Sequence, residues 1–164
     1  MDHTTEFYEE REEDTQKGRF LTFSLDKESY GIEIDYVTEI IGIQEITAIP
    51  ELPEYVRGII NLRGKIIPIM DVRIRFKKEP RDYNDRTCVI VVDIQNVLIG
   101  IVVDRVSEVL KIAEEDIVEP PQVNHRFHNR YVKNIGKVGS QILLLLDCEK
   151  LLTENELEDI SMAM

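Results

Sequence analysis

The sequence predicts a mainly β fold made of two small, similar β units, followed by a C-terminal helix. Three observations support this prediction. Short apolar strands are separated by tight polar turns, the second half of the chain repeats motifs of the first, and the last segment changes to helical spacing. Short strands at this density are typical of small barrels or of a sandwich. At 164 residues, the chain is long enough to bury a substantial core.

The first 18 residues differ from the rest in composition. They carry seven acidic residues against Arg11 and Lys17, and they offer little that a core could bury. We therefore expect residues 1–18 to form a mobile acidic tail outside the folded body.

The body of the chain is predicted to form successive strands and hairpins. Residues 20–25 alternate apolar and polar side chains, and a second strand at 30–34 follows a turn at 26–29. Further hairpins are predicted around the turns Arg63-Gly64, Gln95-Asn96 and Gly139-Ser140. Pro68 has no backbone N–H to donate, so its strand is expected at a sheet edge or with a bulge.

A helix is predicted over about 147–162. Apolar residues lie at helical spacing in this segment, namely Leu151, Leu152, Leu157 and Ile160. Thr153 followed by Glu156 matches the capping-box pattern that begins many helices. We expect the leucines to pack the helix back onto the β body.

An internal repeat divides the body into two units. Residues 30–41 align without gaps to 99–110 and are identical at five of twelve positions, including Asp35/Asp104. Residues 55–71 align in the same way to 131–147. We expect a folded domain over 19–152 that contains a first barrel at about 19–80 and a second at about 81–146. Units this small should share an interface and leave a groove at their seam.

Composition argues against several classes of protein. The net charge of 20 − 32 = −12 disfavours non-specific binding to nucleic acid. The longest apolar run, Val97–Val103, is far too short to cross a membrane as a helix. Cys88 and Cys148 lie 60 residues apart without a CxxC motif, which favours a reducing cytosol over a redox or zinc motif.

The sequence offers no set of residues for catalysis. His125 and His128 are spaced i, i+3, but no cysteine lies nearby, so we predict no metal site. No GxSxG, P-loop or GxGxxG motif is present. We therefore predict that the protein is not an enzyme and needs no cofactor.

The two units differ most in polar content at one hairpin. The first unit carries Arg57, Asn61 and Arg63, where the second carries Lys133, Lys137 and Gly139. Bulky hydrogen-bonding groups on a small barrel are suited to binding another protein. We expect Glu39 and Arg63 to form an ion pair, which could fix the hairpin, contact a partner, or do both.

Positive charge is concentrated in one stretch. Residues 57–81 contain eight basic and two acidic residues, a local charge of +6 within an acidic chain. This stretch could steer acidic partners or could be a solvated loop. A small-barrel nucleic-acid-binding protein is the alternative function, although aromatic residues are not interleaved with the basic ones.

Residues 55–71, YVRGIINLRGKIIPIMD, closely resemble the signature of the CheW family of chemotaxis coupling adaptors. The resemblance extends from about Phe20 to Leu152 and includes YGIEIDYVTEI and VVDRVSEVL. It implies a mainly β fold of two tandem SH3-like β-barrel subdomains packed around a shared core, with short helices between strands. It also implies an adaptor without catalytic activity.

The resemblance further implies partners and a location. The partners are the regulatory domain of the histidine kinase CheA and the cytoplasmic tip of methyl-accepting chemoreceptors. We expect a cytoplasmic protein, monomeric alone, that is recruited to membrane-associated receptor arrays without inserting into the membrane or binding nucleic acid.

Matching to the family motif implies the residues that bind the receptor. The receptor-binding positions are Val37, Glu39, Gly58, Asn61, Arg63, Val106 and Val109. The resemblance also implies kinase docking at an exposed edge of the first barrel. We place it at Ile43 to Ile49, with Ile43, Ile46 and Ile49 as the kinase-binding positions, although no motif in the sequence fixes this edge. Val106 and Val109 could instead be core residues, because a receptor helix and a core both favour apolar side chains.

Overall fold

The computed structural model describes residues 16–121 and 130–163, and within them the chain forms eleven strands. The strands are β1 (Arg19–Leu25), β2 (Glu28–Glu33), β3 (Val37–Gly42), β4 (Val56–Leu62), β5 (Lys65–Asp71), β6 (Cys88–Ile94), β7 (Val97–Val103), β8 (Arg105–Lys111), β9 (Ile117–Val118), β10 (Val132–Val138) and β11 (Gln141–Leu146). Most of the acidic tail and all three histidines (His3, His125 and His128) lie outside the described residues.

The strands form two sheets. The six-stranded sheet has the order β8-β1-β2-β11-β10-β9, and the five-stranded sheet has the order β3-β6-β7-β5-β4. Neighbours are antiparallel except for β2 with β11 and β5 with β7, which are parallel. A short helix at Val72–Arg75 and the C-terminal helix at Glu154–Ala163 complete the mainly β fold that the sequence predicts.

Each sheet takes strands from both halves of the chain. The five-stranded sheet uses only residues between 37 and 103, whereas the six-stranded sheet combines β1 and β2 with β8 to β11. This differs from the expected arrangement, in which 19–80 and 81–146 each form a barrel. The physical reason lies in the repeated segments 30–41 and 99–110, because the chain passes from one sheet to the other within each of them.

The repeat itself is visible in the strand register. Leu145 pairs with Gly31 in one sheet, and the equivalent Ile69 pairs with Gly100 in the other. A Cβ atom on Gly100 would lie 2.6 Å from Cδ1 of Ile69. Glycine occurs at both equivalent positions because a neighbouring side chain occupies the space that a Cβ would need.

The apolar residues form one shared core and two smaller ones. The shared core joins strands of both sheets to the C-terminal segment and includes Phe23, Ile90, Ile101, Leu151 and Leu157. A second cluster lies within the five-stranded sheet and a third within the six-stranded sheet. The shared core that the family resemblance implies is therefore present.

The C-terminal helix begins where its capping box predicts. Thr153 Oγ1 accepts a bond from the Glu156 N–H at 3.1 Å, and Glu156 Oε1 accepts one from the Thr153 N–H at 2.9 Å. The expected start at 147 is too early, because Cys148–Lys150 forms a separate 3₁₀ turn that Asp147 caps. Leu157 and Ile160 are buried, as the helical spacing predicts.

Pro68 lies on an interior strand, not on an edge. Ile59, its partner on β4, exchanges both of its backbone hydrogen bonds with Thr47, so the Ile59–Pro68 pair needs none. The ladder between β5 and β7 begins one residue later, at Ile69. The missing N–H is thus accommodated at the end of a parallel ladder, with a register shift in β4 close by.

Candidate partner-binding site

The turn between β4 and β5 projects Arg63 into solvent. Arg63 and Gly64 have φ values of +51° and +89°, which suit a two-residue hairpin turn with positive φ at both positions. Asn61 supports the turn, because its Oδ1 accepts a hydrogen bond from the Gly64 N–H at 2.8 Å. The Arg63 side chain is 71% exposed.

The predicted ion pair between Glu39 and Arg63 is confirmed. Nη2 of Arg63 donates to Oε1 of Glu39 at 2.6 Å and to Oε2 at 2.8 Å. The pair links β3, an edge strand, to the β4–β5 turn. Because an exposed ion pair contributes at most about 1 kcal/mol to stability, its main consequence is to orient the guanidinium.

Gly58 allows a neighbouring segment to approach β4. Its φ is +145°, and a Cβ atom there would lie 2.1 Å from the backbone oxygen of Thr47. Thr47 and Ile59 donate to each other's carbonyl oxygens at 2.9 Å, so the segment 43–49 is fastened to the outer edge of β4. Gly58 therefore has a backbone role beneath the site rather than a surface one.

The remaining predicted residues divide by burial. Val37 and Val106 are half-buried and pack against the shared core, whereas Val109 is 48% exposed on β8. Ile43 and Ile46 are half-buried against the core of the five-stranded sheet, and Ile49 is also half-buried. The core alternative thus fits Val106 better than Val109.

Residues 19–156 match the family model described as the CheW-like domain. The chain belongs to the CheW family. It is 40% identical over 138 residues to the chemotaxis protein CheW of Klebsiella aerogenes, covering 84% of this chain and 83% of that protein. It is 33% identical over 147 residues to CheW of Treponema pallidum, covering 87% and 86%.

A solved structure supports the same assignment. The crystal structure of the scaffolding protein TtCheW from Thermoanaerobacter tengcongensis matches with a TM-score of 0.77 and 37% identity, covering 85% of this chain and 94% of that one. The protein is therefore a non-catalytic chemotaxis scaffold of the CheW family. No helix within the described part of the chain is long and apolar enough to span a membrane.

The basic stretch 57–81 of this CheW-family chain is largely neutralised by carboxylates. Ion pairs to carboxylates within 4.0 Å are formed by Arg63, Arg73, Arg75, Lys78 and Arg81. Arg73 and Arg75 are buried, which the sequence-based expectation of a solvated loop or a binding face did not foresee. The nucleic-acid alternative loses its basis, because these cations do not form a free basic surface.

One of these ion-pair clusters joins three segments. Arg73 donates to Asp26 at 2.9 Å and to Asp104 at 2.8 Å, and Arg81 lies within 3.2 Å of the same two carboxylates. The hydrogen bond from Arg73 is the main cause that lowers the pKa of Asp26. The sequence signals at this cluster were the basic stretch 57–81 and the identity of Asp104 with Asp35 in the repeat, and neither showed that these charges meet.

Arg75 is the residue that sequence reasoning missed most clearly. Its guanidinium lies 4.2 Å from the ring centre of Tyr55 and 5.4 Å from that of Tyr131, two residues that are equivalent in the repeat. It also donates to the Leu151 carbonyl oxygen and to Glu156, both at 2.8 Å. Arg75 therefore joins both sheets to the C-terminal segment.

Proposed function

We propose that this scaffold couples the histidine kinase CheA to methyl-accepting chemoreceptors. The cytoplasmic tip of a receptor would bind at the end of the five-stranded sheet that carries Glu39, Asn61 and Arg63. The kinase regulatory domain would bind along the segment 43–49. We infer that the protein is a cytoplasmic monomer on its own and is recruited to receptor arrays.

One observation carries the receptor assignment: Arg63 is both exposed and held in place. The two bonds to Glu39 use Nη2 alone, which leaves Nε and Nη1 to donate to a carboxylate or carbonyl group of a partner. Holding a long side chain in its binding conformation lowers the entropy lost on association. A restrained arginine at a protein surface is a typical binding hot spot.

Exposed apolar residues near each sheet edge support a helical partner. Val109 on β8 is 48% exposed, and its repeat equivalent Ile40 on β3 is 43% exposed. A helical hairpin binds through apolar side chains spaced along one face, and such edge residues could meet them. Val37 and Val106 would support this surface from below, since both pack against the shared core.

The kinase assignment is supported by the tethered segment 43–49. Its isoleucines at 43, 46 and 49 are all half-buried, so each keeps some apolar surface for a partner. The backbone bridge from Thr47 to Ile59 gives the segment a fixed position on the sheet. A fixed apolar edge of this kind suits docking to another small β domain.

A pair of charge reversals on one hairpin tests the receptor site. Arg63→Glu should weaken binding to a purified receptor signalling-tip fragment roughly tenfold or more, because it places two carboxylates side by side. Binding to the CheA regulatory domain, measured by calorimetry in parallel, should be unchanged. Lys65→Glu is the matched control, since it makes the same charge change two residues away on an exposed side chain.

The converse variant is Ile49→Asp, which should weaken kinase binding and leave receptor binding intact. Equal losses from Arg63→Glu and Lys65→Glu would mean that only net charge matters. Unchanged receptor binding by Arg63→Glu would show that the β4–β5 turn is not the receptor site.

A further inference from the structure

A polar cleft lies in the six-stranded sheet at the position equivalent to the Glu39–Arg63 pair. It has a volume of about 180 Å³ and lies between β1, β2, β8 and β11. The polar residues that line the cleft include Thr22, Ser29, Arg105, Ser107, Glu108 and Gln141. Thr22 and Gln141 make hydrogen bonds between strands, whereas the Glu108 carboxylate makes no such contact within the described residues.

The repeat shows what is absent from this cleft. The alignment of 30–41 with 99–110 makes Glu108 the equivalent of Glu39. The alignment of 55–71 with 131–147 makes Gly139 the equivalent of Arg63. The six-stranded sheet thus has the carboxylate without the guanidinium, and no side chain of the described residues donates to the Glu108 carboxylate.

The backbone of Glu108 is held in place, and its side chain is exposed at the cleft. The Thr22 hydroxyl donates to the Glu108 carbonyl oxygen at 2.8 Å and accepts from the Glu108 N–H at 3.1 Å. This double contact lies where the register between β1 and β8 shifts. On the opposite wall, Gln141 Nε2 donates to Ser29 Oγ at 3.0 Å, which leaves the Gln141 Oε1 as an acceptor.

We propose that this cleft binds an arginine side chain of a partner protein, whose guanidinium pairs with Glu108. The contact between the partner's arginine and Glu108 would then resemble the contact that Arg63 makes with Glu39 within this chain. A guanidinium has five N–H donors in a planar fork, and it matches a carboxylate with further oxygen acceptors nearby. The net charge of −12 also favours the approach of a cationic segment.

Arg105 is the competing feature, because it contributes a positive charge to the same cleft. Both side chains are exposed, but Arg105 lies at the start of β8, whereas Glu108 lies at its centre, where Thr22 bonds the backbone. An acidic peptide would be the preferred ligand if Arg105 dominated. The test therefore compares two peptides that differ only in the charged residue.

The probes are acetyl-Gly-Arg-Gly-amide and acetyl-Gly-Glu-Gly-amide, titrated into the full chain and followed by amide chemical shifts. The arginine peptide should give saturable shifts at Thr22, Glu108 and Gln141, and the glutamate peptide should not. Glu108→Gln should weaken binding of the arginine peptide roughly fivefold, because a charge-assisted bidentate contact becomes a neutral one. The readout needs neither kinase nor receptor, so it is independent of the proposed function.

A pair of substitutions in the β10–β11 turn provides the sharper control. Gly139 has a φ of +61°, close to the +51° of Arg63, and a Cβ atom there meets no atom within 4 Å. Gly139→Arg should fill the cleft from within the chain and abolish peptide binding, whereas Gly139→Ala should leave it intact. Binding of the glutamate peptide at the cleft, absence of saturation, or unchanged binding by Gly139→Arg would each overturn the proposal.

Discussion

At the level of single residues, Gly58 controls the surface beside the candidate receptor site. Gly58→Ala should destabilise the protein by more than about 2 kcal/mol, because a backbone clash with Thr47 adds to an unfavourable positive φ. Urea unfolding measures this change. The segment 43–49 should also lose amide protection, since its bridge to Ile59 depends on the close approach.

Gly42→Ala is the matched control for this prediction. Gly42 also lies in the five-stranded sheet, but a Cβ atom there meets no atom within 4 Å. We expect a change within about 0.5 kcal/mol, as for most surface substitutions. Equal effects of the two variants would show that the clash at Thr47 is relieved by a small shift of the backbone.

The Glu39–Arg63 pair could be predicted from the sequence, whereas the contacts of Arg75 could not. The tight turn at Arg63-Gly64 places the arginine at the end of a hairpin, and Glu39 is an opposite charge in the same unit. The sequence does not show that β3 and β4 lie at opposite ends of the strand order. Charge counting treats every cation in 57–81 as exposed, because it contains no information on burial. Arg75 is buried by residues 55, 131 and 151–156, which are distant in sequence and give no local signal.

At the level of elements, the C-terminal helix depends on its capping box. Thr153→Ala should lower the free energy of unfolding by about 1 kcal/mol, since the Glu156 N–H would lose its acceptor. Ser161→Ala is the control, because Ser161 is exposed near the other end of the same helix. Unfolding followed by circular dichroism compares the two, and equal stability would show that packing alone fixes where the helix starts.

Strand positions could be predicted from the sequence, but strand partners could not. The alternation of residues and the turns Gln95-Asn96 and Gly139-Ser140 place the hairpins correctly. The pairs β2–β11 and β5–β7 join opposite halves of the chain in parallel, and no turn marks them. A repeat gives the same apolar pattern whether its hairpins pair within one half of the chain or across the two halves. The pairing of strands from opposite halves was therefore not predictable from periodicity.

At the level of the whole molecule, Arg75 connects the two sheets and the C-terminal segment. Arg75→Met should cost about 2–4 kcal/mol, because it leaves the Leu151 carbonyl group and Glu156 without their donor. Hydrogen exchange should then increase first in the C-terminal helix. Arg130→Met is the control, since Arg130 stacks on Tyr131 from an exposed position. A comparable loss in the control would assign the effect to the Tyr131 ring rather than to the buried guanidinium.

The shared core also makes the fold sensitive to alkaline pH. Burial is the largest cause that raises the pKa of Tyr36 and of Cys148, each to about 12. In the unfolded chain these groups lose their protons near their ordinary values of 10.0 and 9.0, so above those values the unfolded state binds fewer protons than the folded one. The stability they contribute is complete below pH 9 and is lost progressively towards pH 12. The melting temperature should therefore fall over that range.

The Tyr36→Phe variant tests this prediction. Its melting temperature should fall less steeply with pH, because the phenylalanine ring cannot ionise. A parallel decline in the variant would assign the sensitivity to Cys148 and the other buried tyrosines, and a flat profile in the unmodified chain would contradict the prediction.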